Sequence, residues 1–255
     1  MPTYAILGST GSVGQSILNV LLQSPETHIH AYCRSWAKLS KLQPSINSNK
    51  QVEVFEGSLD DTTLLSNCLR GTQTAFLATA ETGGNRPGTR VCQDTAHAVV
   101  AALKQLKSQN ERLPRLVVLS SSSTDHRFLP DTPAPIMWLL YRTSSYVYDD
   151  LKAAEKYLRA QDDGLVSATF VKPGALTDDS QKGHRLSMEK ADMPLSFLDL
   201  AAGMVEIADN QDQYDMKGVA VCPTSKDVSF PRGAPIRLFF GLVFHFFPWL
   251  YRFHP

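Results

Sequence analysis

The 255-residue chain has no excess of either charge. Lys plus Arg and Asp plus Glu each total 25, for a formal net charge of zero. That balance excludes a chain recruited by its overall field to nucleic acid or to an acidic membrane. Cysteine is scarce, with Cys33, Cys68, Cys92 and Cys222 widely spaced and no C-x-x-C pair. In an α/β chain with no signal peptide they read as reduced thiols, which excludes a disulfide framework and predicts a cytoplasmic protein. No metal-ligand spacing is present, so no metal is expected, and His28, His30, His97 and His245 read as packing or surface residues. Asp125-His126 has no G-x-S-x-G elbow to give it a hydrolase context. No stretch suits a membrane span. The apolar run from Ala234 to Trp249 is short and carries Arg237, His245 and Pro248. No internal repeat is visible, and a strand starting at residue 4 is expected to leave no room for a targeting segment.

What the sequence does have is concentrated at its start. Tyr4 to Leu7 is apolar and β-favouring, glycines follow at 8, 11 and 14, and then Ile17, Leu18, Leu21 and Leu22 recur at helical spacing. A strand, a glycine turn and a helix in that order predict a nucleotide site. Gly8 permits the tight turn, Gly11 lets a pyrophosphate approach the backbone, and Gly14 lets the helix close on the strand. Thr10, Ser12 and Val13 complete the turn, and the N–H groups at the helix start meet the phosphates.

The rest of the chain continues the pattern. Strands are predicted at His28–Cys33, Gln51–Glu56, Thr74–Ala80, Arg115–Leu119, Ser167–Lys172 and Gly218–Cys222, with helices between most of them. That alternation predicts a Rossmann-like, doubly wound parallel α/β sheet in one domain spanning 1–255, with 175–255 contributing a small C-terminal substrate lobe. Twenty residues past Gly14, where an acidic residue would hold the ribose 2′-OH of NAD, stands Arg34. Ser35, Lys38 and Lys41 follow, with no acidic residue before Glu53. An Arg at that offset suits the 2′-phosphate of NADP, so NADP(H) is the expected cofactor. Asp60 or Asp61 caps the helix at 62–69, and Leu59 is placed against the adenine. Ala78 and Thr79, at the end of the fourth strand, face the cofactor. The Gly- and Pro-rich run 81–88 is expected to be a mobile loop, and 130–141, with three prolines, an apolar loop.

The fifth strand runs straight into Ser120 to Thr124, a polar run where a site is expected in this architecture, although a plain serine-rich loop reads the same way. A helix over about 145–160 then carries Tyr148 and Lys152, four apart on one face. An ammonium beside a phenol lowers its pKa and makes it a usable proton donor near neutrality.

Together, GSTGSVG after the first strand, the strand ending in SSS, YDDLKAAE, and Val171-Lys172-Pro173-Gly174 resemble the short-chain dehydrogenase/reductase family. The likeness covers most of 4–208 and is similar to its extended and its atypical, nitrogen-regulator-like branches. The C-terminal 233–251 looks more narrowly like fungal tailoring enzymes of aromatic polyketide pathways, the group that includes averufin oxidase A. The resemblance implies Tyr148 as proton donor or acceptor, and Lys152 as holder of the nicotinamide ribose and tuner of Tyr148. It also implies that Ser122 (or Ser123) orients the substrate oxygen and that Pro173 and Gly174 border the nicotinamide. The chain departs from the family at Ala78-Thr79-Ala80, where Asn-Ala-Gly is frequent, and at Ser58, where an Asp is usual.

The function these features imply is NADP(H)-dependent hydride transfer between a ketone and an alcohol. The expected substrate is a small, hydrophobic aromatic molecule, such as a fungal polyketide or anthraquinone-type intermediate of secondary metabolism. Two rivals stand beside it: a redox-neutral isomerase, dehydratase or cyclase using the same Tyr/Lys pair, and an NADP-sensing binding protein without turnover. The aromatic tail is expected to cap the core or line the substrate cleft, an interfacial helix being the other reading.

Overall fold

Strands that are apolar at successive positions form the centre of a sheet because both of their faces are covered. In β1 (Thr3–Leu7), Ile6 points into one apolar cluster while Ala5 and Leu7 point into the other, and all three are fully buried. The computed structural model describes every residue except 82, 83, 163, 230–232 and 255, together with the side chain of 211.

In chain order β1 leads to α1 (Ser12–Leu21), β2 (His28–Cys33), α2 (Trp36–Leu42), β3 (Val52–Glu56), α3 (Thr62–Leu69) and β4 (Thr74–Leu77). Then follow α4 (Val91–Ser108), β5 (Arg115–Leu119), α5 (Ala134–Thr143), α6 (Ser145–Arg159) and β6 (Ala168–Val171). The C-terminal part adds β7 (Leu176–Thr177), β8 (His184–Ser187), β9 (Leu195–Ser196), α7 (Phe197–Asp209), α8 (Gln211–Tyr214), β10 (Gly218–Pro223) and α9 (Ala234–Phe246). The main sheet has the order β3-β2-β1-β4-β5-β6-β10-β8, parallel throughout except for β8, which runs antiparallel to β10. The apolar faces of α1, α2 and α7 cover one side, and those of α3, α4 and α6 the other. This is the predicted Rossmann-like, doubly wound α/β fold. The winding reverses between β1 and β4, which opens a crevice at their carboxyl ends. Among the described residues no helix is long and apolar enough to cross a membrane.

Two expectations are corrected. The apolar segment at 130–141 is largely helix α5, because Pro135 sits in its first turn, where a missing N–H costs nothing. The fourth strand stops at Leu77 rather than Ala80. His184 and Arg185 belong to edge strand β8, which pairs antiparallel with β10.

The 81–88 run, expected to be mobile, holds an anchor. Asn85 is buried; its Nδ2 donates to the carbonyls of Arg142 (3.2 Å) and Gly241 (3.0 Å) and to Ser145 Oγ, while its Oδ1 accepts from Tyr146 N. One side chain therefore ties the β4–α4 loop to α5, α6 and α9. Thr82 and Gly83 of that run lie outside the described residues. At the same junction Ser145 Oγ lies 2.8 Å from His245 Nδ1, and burial with nearby Arg142 holds the His245 pKa below its ordinary value. The imidazole is therefore neutral at pH 7. Helix α9 packs chiefly on α5, so closely that a Cβ on Gly241 would fall 2.0 Å from Thr143 O.

Candidate cofactor cleft and active site

The crevice between β1 and β4 is a cleft of about 430 Å³. Its floor is the glycine turn, with Gly8, Thr10, Gly11 and Ser12 lining it; Ala78, Thr79 and Ala80 form one wall, and Tyr32, Arg34, Lys38 and Leu59 the far end. Each glycine has a separate physical reason. Gly8 sits at φ +90°, and a Cβ there would lie 2.8 Å from Ala78 O. A Cβ on Gly14 would lie 2.2 Å from Gly8 O, so α1 can approach β1 this closely only without one. At Gly11 a Cβ would meet nothing nearer than 3.4 Å, so what its absence preserves is open approach from the cleft. No side chain caps α1, which leaves its first-turn N–H groups available to an anion.

These features fit a dinucleotide. Phosphates suit the uncapped helix start, Leu59 offers an apolar surface, and the exposed cations Arg34 and Lys38 line the β2 end of the cleft. Val13 and Gly14 are buried in the first turn of α1, beneath the floor. The Ser35 hydroxyl accepts from Lys38 N as the cap of α2. Asp61, one of the two candidates, caps α3 by accepting from Leu64 N. Tyr32 Oη donates to Ser58 O at 2.6 Å, and burial pushes its pKa up to about 12, so it remains protonated at any working pH.

Outside the lining of that cleft, β5 opens into the serine run. Ser122 is 1% exposed, and its N–H donates to Pro173 O at 2.9 Å, locking the turn after β5 to the turn after β6. Tyr148 and Lys152 lie one turn apart on α6, with Tyr148 half-buried against the apolar cluster under α4 and Lys152 exposed. Lys152 Nζ lies 3.2 Å from Tyr141 Oη and 4.3 Å from the centre of that ring. The Tyr141 and Tyr148 rings are 5.5 Å apart. The structure thus brings Tyr148, Lys152 and Tyr141 into one group, with Ser122, Pro173 and Gly174 at the ends of the neighbouring strands.

A family model described as NAD(P)H-binding matches residues 8–211, the span from the glycine turn through the last helix packed on it. The chain belongs to the NAD(P)H-binding family. It is 50% identical to oxidoreductase stcQ of Emericella nidulans over 99% of this chain and 94% of that protein. It is 49% identical to oxidoreductase aflX of Aspergillus parasiticus over 99% and 95%. Among solved structures, a wide-type short-chain dehydrogenase/reductase from Veillonella parvula in complex with NADP superposes with a TM-score of 0.68. That match covers 91% of this chain and 99% of that one at 19% identity, a likeness of fold.

Within this NAD(P)H-binding scaffold several residues escaped the sequence reading. Tyr32, Val91 and Asp94 line the cleft. Tyr32 had a signal, being the penultimate residue of β2; Val91 and Asp94 had none, since nothing local shows that the first turn of α4 faces the cleft. Asp150, inside the Tyr–Lys segment, is 2% exposed and caps α4 across space, its carboxylate accepting from Cys92 N and Gln93 N. Asp150→Ala should cost about 1–3 kcal/mol by orphaning those donors, read as a lower urea midpoint.

Most consequential is Lys172, 2% exposed, whose Nζ donates to Ser120 Oγ (3.1 Å), Thr124 Oγ1 (2.9 Å) and Glu155 Oε2 (2.5 Å). Burial pulls its pKa below the usual lysine value, against the opposing pull of Glu155.

Proposed function

We propose that the chain is an NADP(H)-dependent oxidoreductase interconverting a ketone and an alcohol on a small, hydrophobic aromatic substrate, such as a polyketide or anthraquinone-type intermediate. The observation that carries the reading is the cleft at the β1–β4 crossover, whose β2 end presents Arg34 and Lys38. Arg34 offers a 2′-phosphate a planar, charge-assisted fork, whereas a carboxylate of the NAD type would repel that phosphate. The oxidoreductase names of relatives near 50% identity support the reaction class.

When bound, the nicotinamide supplies or accepts the hydride. The chain's own residues do the rest. Ser122 orients the substrate oxygen, Tyr148 moves its proton, and Lys152 holds the ribose. Pro173 and Gly174 border the ring, and Ala78 and Thr79 the adjoining wall. One domain carries the chemistry, with 175–255 shaping the substrate side.

Arg34→Ala should weaken NADPH binding by about 1.5–3 kcal/mol and leave NADH binding nearly unchanged. Titration by cofactor fluorescence measures both. Equal losses for the two cofactors, or tighter wild-type binding of NADH, would remove the NADP assignment. Net consumption of NADPH with an aromatic ketone separates the oxidoreductase from a redox-neutral enzyme and from a cofactor sensor.

A further inference from the structure

The C-terminal elements leave most of their large apolar side chains exposed. Of the 16 large hydrophobic residues exposed among the described residues, 11 lie on α5, α9 and the short helical turn Pro248–Phe253, and Phe247 joins the last two. Trp138 is 51% exposed, Phe239 61%, Trp249 57% and Phe253 69%. A continuous apolar surface of this kind on neighbouring elements marks an interaction face rather than chance exposure. Its charge is one-sided, because neither 132–148 nor 228–255 contains an acidic residue. Arg142 stacks 3.7 Å over Trp138, and Arg252 lies 4.7 Å from the centre of the Phe253 ring. Arg237 is exposed in the first turn of α9. Among the described residues none of these three guanidinium groups forms an ion pair.

We infer that this face docks on an anionic lipid bilayer, lying in the headgroup boundary rather than crossing it. The 13-residue α9 is too short to span, while exposed Trp and Phe interleaved with Arg suit the interface, where aromatic rings meet headgroups and cations meet anionic lipid. A second copy of the chain fits worse. A twofold pairing would set this face against itself, burying unpaired arginines with no acid to receive them. The net charge of zero does not oppose docking, since attraction at a surface is local within a Debye length.

The test is flotation of the full chain with vesicles of 30 mol% phosphatidylserine in phosphatidylcholine, alongside tryptophan emission. Binding should bring a blue shift, because two of the three tryptophans lie on the face. Arg237→Glu and Arg252→Glu should each weaken binding roughly fivefold or more. Trp249→Ser and Phe239→Ser should weaken it further without lowering the melting temperature, since both side chains are exposed. Failure to float with these vesicles at low salt would overturn the inference. So would a lipid-free dimer that Trp249→Ser dissolves, which would make a second copy the occupant.

Discussion

Tyr148→Phe should leave NADPH binding intact and lower turnover about 10²–10⁴-fold, the usual contribution of a positioned general acid or base. The substitution removes one hydroxyl and keeps the ring, so the packing of Tyr148 on the α4 side and its 5.5 Å approach to Tyr141 survive. Tyr141 is the rival, being closer to the Lys152 ammonium. Its phenol, however, donates to Asp149 Oδ1 at 2.5 Å, and burial together with that carboxylate drives its pKa upward. A phenol held protonated by a neighbouring anion is a poor proton donor, so Tyr141→Phe should cost far less turnover than Tyr148→Phe. Lys152→Ala should lower both turnover and NADPH affinity. Steady-state rates with a competent aromatic ketone, run beside fluorescence titration of NADPH, measure all three. Undiminished turnover in Tyr148→Phe would end the mechanism, and a dead Tyr141→Phe would move the proton to that residue.

The glycine turn was legible in the sequence because its logic is local: the φ of Gly8, the closeness of Gly14 to the Gly8 carbonyl and the Arg34 offset all act within one strand–helix–strand unit. The sheet was legible for the same reason, since apolar runs of strand length alternate with helical spacing. Helix α5 was hidden because prolines read as breakers away from a helix start and as starters within its first turn, and the sequence does not say where that start is. The contacts of Asn85, Asp150 and Lys172 were not legible at all. Each acts on partners 17 to 156 residues away along the chain, and nothing local distinguishes a buried Lys172 from a surface one. The tail followed a different course. Its aromatic content pointed to a core cap or cleft lining, yet Phe244 is the only one of its aromatic rings among the described buried residues, because α9 found a partner in α5 rather than in the sheet.

Glu155→Gln should destabilise the fold by about 3–5 kcal/mol, the range for removing one partner of a buried ion pair. The three ammonium donors of Lys172 are all occupied, by two neutral hydroxyls and one carboxylate, so the carboxylate is the ammonium's only anionic hydrogen-bond partner. An amide in its place keeps the shape and removes the countercharge. Lys172→Met should cost less, because Ser120 and Thr124 already stand 3.4 Å apart, close enough to bond each other, and Glu155 keeps Arg159 and partial access to water. The double variant Glu155→Gln/Lys172→Met should therefore be more stable than Glu155→Gln alone, a non-additivity that urea unfolding measures directly. The pH dependence has a definite sign. With its folded pKa below the unfolded value, Lys172 binds fewer protons in the folded state than in the unfolded state between the two pKa values, so stability rises with pH in that window. Without Glu155 the depression deepens, and the deficit of Glu155→Gln should shrink as pH rises towards the ordinary lysine value. A double variant no more stable than Glu155→Gln, or a deficit independent of pH, would mean that the loss comes from packing rather than from an orphaned ammonium.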